Sequence, residues 1–291
     1  MESVLERAVN RLGWNAAEVE IQYQKSGLTN RNYIVSNGVE KAVVRIHGAL
    51  SGDLGIDRRA ELAAMKAVSV LDIAPELLYF EAGQAGQGVM ITRFIEGRTW
   101  ESSDPAANIE GLAALLKKVH TVPGIEFEFS PYADIERWIH LAKSRRQQLP
   151  EALDSLLERL HHIQALRSAV ADSCRGLCHN DPFANNFMDD GSLRLLDWEF
   201  AGMGDIMYDL ACISQSLEPD KQTELLNAYF GYTSPELLRS LQDMDYVVSF
   251  WNAMWATTLM DSASHPDFDY SGLANYLFHK MERSLSQGKN G

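Results

Sequence analysis

This sequence predicts an α+β fold in two lobes, a small antiparallel sheet followed by a larger helical lobe. Five short β-like runs and one amphipathic helix fill the first third of the chain. Helical periodicity dominates the rest. One hairpin, dense in Asp and Asn, interrupts the helical part near residue 190. Strands segregated from helices in this way make two layers of different kind, with a cleft expected between them. The lobes are expected at residues 1–96 and 97–291.

Residues 1–14 carry Glu2, Glu6, Arg7 and Arg11 and lack an apolar stretch, so they read as a helix and not as a signal peptide. Residues 21–24, 33–36 and 42–47 read as strands. A polar turn, Ser26 to Asn32, joins the first two, and Asn37-Gly38 turns into the third. Residues 57–71 are helical, with Leu62, Met65, Val68 and Leu71 on one face. Strands at 77–81 and 89–94 follow, split by a glycine-rich turn, and Arg93 to Gly97 ends the sheet. Helices are expected at 108–120, 133–149 and 151–172, with Pro150 separating the last two. They resume near Tyr208 and run to Lys280.

With 46% apolar and 23% charged residues, the composition is that of a soluble globular protein. No apolar run approaches the roughly 20 residues that span a bilayer, so no membrane partner and a cytoplasmic location are expected. The net charge of −14 argues against a nucleic-acid partner and suits a cationic substrate, though solubility alone also explains it. Cys174, Cys178 and Cys212 lack the spacing of a disulfide framework or a zinc site and read as small buried hydrophobes.

The chemistry is concentrated in Leu177 to Phe187 and in Leu195-Leu196-Asp197-Trp198-Glu199-Phe200. The pattern is H-x-D-x-x-x-x-N, then a turn at Asp189-Asp190-Gly191, then a strand ending in Asp. Phosphoryl transfer from ATP needs one carboxylate to accept or orient the proton of an attacking hydroxyl. It also needs an amide oxygen and a second carboxylate to hold magnesium on the phosphates. Asp181 fits the first role, and Asn186 and Asp197 the second. The hairpin would bring Asn186 and Asp197 side by side.

The nucleotide half follows the same logic. The loop Ser26 to Asn32, with Asn30 and Asn32, would cover ATP phosphates with backbone N–H groups and small polar side chains; by itself it is equally a plain hairpin turn. Arg45 is the one charge within the apolar run 42–46 and would clamp the phosphates, with Glu61 of the following helix holding it. Otherwise Arg45 is a surface charge. The adenine is expected against the linker that contains Phe94 and Ile95.

These segments resemble the choline/ethanolamine kinases, especially the bacterial LicA type, in the aminoglycoside-phosphotransferase branch of the protein-kinase-like superfamily. The resemblance rests on Gly27 to Asn30, His179 to Asn186, Asp197 to Ala211, Ser249 to Trp255 and Phe268 to Tyr270. It implies a two-lobed protein-kinase-like fold, Asp181 as catalytic base, Asn186 and Asp197 as magnesium ligands, and Asn30 and Arg45 at the phosphates. It also implies that Asp209 orders the catalytic loop and that a small cationic alcohol, choline first, is the acceptor. Aromatic faces attract such a cation. Trp251 and Trp255 stand one helical turn apart, and with Tyr208, Tyr270 and Glu199 they make the expected substrate set. Core packing is the other reading of the two tryptophans.

Two features depart from the family pattern. The relatives space the tryptophans by three residues, and here the interval is four. The relatives also carry a Glu seven residues after the Asp209 position, where this chain has Ser216; Glu218 or Asp261 is the candidate substitute. The alternatives to choline kinase are a thiamine kinase, an aminoglycoside-type phosphotransferase and, from another class, an inactive binding relative. Retention of Asp181, Asn186 and Asp197 argues against the last.

Overall fold

Burial alternates along residues 41–46, and this alternation sets the architecture of the N-terminal sheet. Ala42, Val44 and Ile46 point to one face and are buried, while Val43 and Arg45 point to the other. The computed structural model describes residues 3–24, 29–83, 88–261 and 267–288. Ser26, Gly27 and Leu28 of the expected phosphate loop lie outside the described residues.

The chain divides into two compact units, one of residues 1–100 with 185–200, the other of residues 101–184 with 201–291. The hairpin, which the sequence alone groups with the C-terminal lobe, therefore belongs to the first unit. That unit starts with α1 (Val4–Arg11), opened by a capping box in which Ser3 and Glu6 exchange hydrogen bonds. Strands β1 (Glu20–Gln24), β2 (Arg31–Ser36), β3 (Lys41–Ile46), β4 (Leu77–Glu81) and β5 (Val89–Arg93) form an antiparallel sheet in the order β1-β2-β3-β5-β4. Ala8 and Val9 of α1 pack against Val44, Ile46 and Ile91 to make its core.

Between β3 and β4 lie the short α2 (Ser51–Leu54) and α3 (Arg58–Val68), the latter capped by the Asp57 side chain. The expected helix 57–71 ends as a 3-10 turn over Ser69–Leu71, stopped by Asp72 in the left-handed region at φ 52°. A second, three-stranded sheet joins β6 (Arg98–Thr99), β8 (Phe187–Asp189) and β9 (Leu193–Leu195). It is fastened to residues after α3 by the Leu195 N–H donating to the Ile73 carbonyl at 2.7 Å and by the Arg194–Asp72 ion pair at 2.6 Å.

The second unit contains α4 (Asp104–Ala107), α5 (Ile109–His120), α6 (Pro131–Ser144) and α7 (Leu153–Ser168). A two-stranded ribbon pairs β7 (Arg175–Cys178) with β10 (Gly202–Asp205). Then come α8 (Ile206–Ser214), α9 (Pro219–Phe230), α10 (Pro235–Leu259) and α11 (Tyr270–Gly288). α6 ends at Ser144, short of the expected 149, where Arg146 takes φ 58°. Its N-terminus is set by Ser130, whose hydroxyl accepts from the Ala133 N–H, with Pro131 in the first turn. Among the described residues no helix is long and apolar enough to cross a membrane.

Candidate active site

In the first unit, Phe187 pairs with Leu195, and the Leu196 N–H donates to the Asn186 carbonyl at 2.7 Å. The hairpin thus carries Asn186 at the start of one strand and Asp197 just past the end of the other. Asp197 itself sits in the left-handed region at φ 62°, uncommon for a residue other than glycine and a feature of functional turns.

Arg45 Nη1 lies 2.7 Å from Asp197 Oδ1 and 2.9 Å from Glu61 Oε1. Arg58 Nη1 lies 2.8 Å from Glu61 Oε2 and 3.0 Å from Glu199 Oε2. Two guanidiniums therefore meet three carboxylates, with one negative charge in excess. His47 adds no third cation, since burial, then Arg58 and Arg45, push its pKa down to about 3. Burial opposes the charge on Arg45, but Asp197 and Glu61 outweigh it and raise its pKa above the ordinary value. Asp197 is held above the usual carboxylate range, first by burial and then by Glu199 and Glu61, against the pull of Arg45. A hard oxygen set with surplus negative charge is the chemistry that a magnesium ion takes, so Asp197 and the Asn186 amide fit such an ion.

The Arg45 face of the sheet also opens a cavity. It is lined by Val43, Met90, Phe94, Ile95, Met188 and Trp198 among others, with Arg45, Glu61 and Asp197 at its polar edge. An apolar slot ending in a few convergent charges suits a flat heteroaromatic base joined to phosphates. Phe94 and Ile95 are part of it. Asn32 pairs with Arg45 across β2 and β3.

Two of the expected site residues have several partners within this unit. Asn30, expected at the phosphates, is 4% exposed. Its Nδ2 donates to Glu199 Oε2 at 2.7 Å, and its Oδ1 accepts from the Gly48 N–H at 3.1 Å and from Arg58 Nη2 at 2.8 Å. These bonds hold the loop to Gly48, just after β3, and to α3. Glu199, expected with the substrate residues, accepts from Thr29 Oγ1 at 2.6 Å, from Asn30 and from Arg58. Both its oxygens have partners within the first unit. Gly48 is required at this junction, because a Cβ there would lie 1.8 Å from the Thr29 carbonyl oxygen. Arg58 was missed at the sequence level; its signal was the Arg58–Glu61 spacing of three residues on a helix.

In the second unit the His179-Asn180-Asp181 turn leaves β7 and is pinned by one buried acid. Asp209, in the first turn of α8, accepts from the His179 N–H at 2.9 Å and the Asn180 N–H at 2.7 Å. Its Oδ2 also lies 3.0 Å from His120 Nε2, whose other ring nitrogen is 2.7 Å from the Tyr229 hydroxyl. Asn180 adopts φ 65° within this clamp. Asp181 is half-buried, its N–H 3.3 Å from His179 Nδ1. Replacing Asp209 by Ala would leave the two backbone donors and His120 without this acceptor. We expect Asp209→Ala to lose about 3–5 kcal/mol of unfolding free energy in urea titration; a loss under about 1 kcal/mol would show that the turn does not depend on it.

The aromatic residues form two groupings. Phe129 meets Tyr208 edge-on at 5.2 Å and Trp251 at 6.3 Å, while Trp138 meets Trp251 edge-on at 4.9 Å. Trp255 instead packs edge-on against Tyr270 at 5.7 Å, with Phe268 beyond it. The two tryptophans share a helix, yet each has its own ring partners, as the four-residue spacing allows. Trp251 is 2% exposed and Trp255 9%. Phe129, Asp134 and Trp138 were not among the sequence candidates; the Asp134–Trp138 spacing of four residues was their available signal. Of the candidate substitutes for the absent Glu, Asp261 accepts from Gln147 at 2.7 Å, and Glu218 occupies the N-cap position of α9 without a side-chain capping hydrogen bond. The Ser216 hydroxyl donates to the Ile213 carbonyl at 3.0 Å.

The chain is 25% identical over 219 residues to Protein LicA of Haemophilus influenzae, covering 72% of this chain and 62% of that protein, so it spans less than two thirds of that relative's length. Its structure is similar to that of the choline kinase LicA from Streptococcus pneumoniae, with a TM-score of 0.81 at 20% identity over 99% of both chains. It is also similar to an ethanolamine kinase of Plasmodium vivax, with a TM-score of 0.76 at 18% identity over 96% of this chain and 86% of the other. At these identities the likeness is one of fold, the kinase-like α+β arrangement. Residues 20–244 match the model of the phosphotransferase enzyme family, and the chain belongs to that family.

Proposed function

We propose that this phosphotransferase moves the γ-phosphoryl group of ATP to the hydroxyl of a small cationic alcohol, choline first. The observation that carries the reading is Asp181 on a turn pinned by Asp209, with the buried rings of Tyr208 and Trp251 in the same unit. Asp181 hydrogen-bonds the acceptor hydroxyl and takes its proton as the oxygen attacks phosphorus, so that one P–O bond forms as the bond to ADP breaks. Arg45, fixed by Glu61, orients the phosphates, and Phe94 and Ile95 receive the adenine. When bound, magnesium supplies charge neutralisation on the phosphate oxygens, and Asn186 and Asp197 would hold it. A coupled ADP-release assay against choline, ethanolamine, thiamine and kanamycin tests the reading. Turnover of kanamycin alone would overturn it in favour of an aminoglycoside acceptor. Turnover of thiamine but not choline would keep the cationic alcohol and change its identity.

Within this reading Trp255 and Tyr270 offer aromatic faces to the cation. Trp255→Ala is expected to raise the KM for choline about tenfold, since one cation–π face in a desolvated site is worth up to about 2 kcal/mol. The KM for ATP should not move. If the KM for choline is unchanged while the melting temperature falls, the ring is core and not site.

A further inference from the structure

We propose that Asp134, on α6, is the carboxylate that meets the positive charge of the acceptor, taking the part that Ser216 cannot. The inference rests on the cationic-alcohol reading and assigns the residue that sets that specificity. Asp134 Oδ2 accepts from Trp251 Nε1 at 3.0 Å, so the acid is joined directly to the ring grouping of Trp251, Phe129 and Tyr208. Tyr208 in turn immediately precedes Asp209, the acid that pins the Asp181 turn. The Tyr208 hydroxyl is buried and has no hydrogen-bond partner among the described residues. A buried hydroxyl left without a partner costs roughly 1–3 kcal/mol, and a site that binds a polar ligand is one setting in which that cost is tolerated. Burial pushes the Tyr208 hydroxyl well above its ordinary pKa, and the negative charges of Asp134 and Asp181 both add to the rise. The base and the proposed charge partner thus bear on one phenol.

The existing partners of Asp134 do not satisfy its charge. Among the described residues its ionic partner is Arg137, 3.0 Å from Oδ1 and 43% exposed, whereas the Asp134 side chain is 16% exposed. A solvated guanidinium screens weakly. Burial accordingly raises the Asp134 pKa despite the hydrogen bond from Trp251 and the charge of Arg137. Each carboxylate oxygen has a second lone pair, and a quaternary ammonium, which donates no hydrogen bond, needs only proximity to negative charge and to aromatic faces.

The test separates charge from shape. Asp134→Asn keeps an oxygen that accepts from Trp251 and removes only the charge. We expect it to raise the KM for choline about tenfold with a much smaller change in kcat, and to leave the KM for ATP and the melting temperature unchanged. The inhibition constant of 3,3-dimethylbutan-1-ol, the neutral isostere of choline, should be the same for both proteins, and Asp134→Glu should recover part of the choline KM. If the variant weakens choline and its neutral isostere equally, Asp134 only positions Trp251 and the proposal is overturned while the cationic-alcohol reading stands. If the unaltered protein phosphorylates none of choline, ethanolamine or thiamine, that reading fails and the proposal falls with it.

Discussion

Asp181→Asn is expected to lower kcat by about 10²–10⁴ while ATP binding and the melting temperature stay as they are. That loss corresponds to roughly 3–5 kcal/mol of transition-state stabilisation. The amide has the shape of the carboxylate, so the turn survives. Its geometry rests on the His179 and Asn180 N–H groups and Asp209, and the Asp181 N–H that faces His179 Nδ1 is backbone. What the amide cannot do is accept the hydroxyl proton as the oxygen attacks. Rapid-quench measurement of the first turnover isolates the chemical step from product release. A variant that turns over at the normal rate would remove Asp181 from the base role and leave the Asp209 clamp as a purely structural device.

The hairpin with Asn186 and Asp197 was legible because two local signals agree there. Asp189-Asp190-Gly191 closes a tight turn between apolar runs, and the structure pairs Phe187 with Leu195 across it. Arg45 and Glu61 were legible for a different reason. A single charge inside an alternating strand must find a partner, and the next helix offers one at 2.9 Å. The contacts of Asn30 and Glu199 were not legible, because both accept from Arg58, separated from Glu199 by 141 positions in sequence. Nothing local in a loop Asn announces a partner so far along the chain. Asp134 was hidden by an ordinary explanation: an acid in the first turn of a helix complements the helix dipole. Only the fold shows that Trp251, 117 positions away, donates to it. The ribbon of β7 and β10 escaped because Gly176, Gly202 and Gly204 carry no side-chain pattern to read.

The largest binding effect is expected from Asp197→Ala. Its carboxylate is the anionic member of the pair that would hold magnesium, and among the described residues it lies at the end of the cluster that runs from Glu199 through Arg58, Glu61 and Arg45. Removing it leaves two guanidiniums against two carboxylates, so the surplus negative charge that suits a dication is gone. Arg45 keeps Glu61 at 2.9 Å and is not stranded, so the unit should stay folded and the melting temperature should shift by only a few degrees. Calorimetry should then show no magnesium-dependent ATP binding and no turnover. Titration with ATP in excess chelator gives the decisive contrast. With one carboxylate fewer beside the phosphates, metal-free ATP should bind the variant at least as well as it binds the unaltered protein. If magnesium-ATP affinity and turnover both survive, the metal is held elsewhere and the hairpin is not the metal site. If metal-free ATP binding is lost as well, Asp197 acts by orienting Arg45 and not by holding the ion.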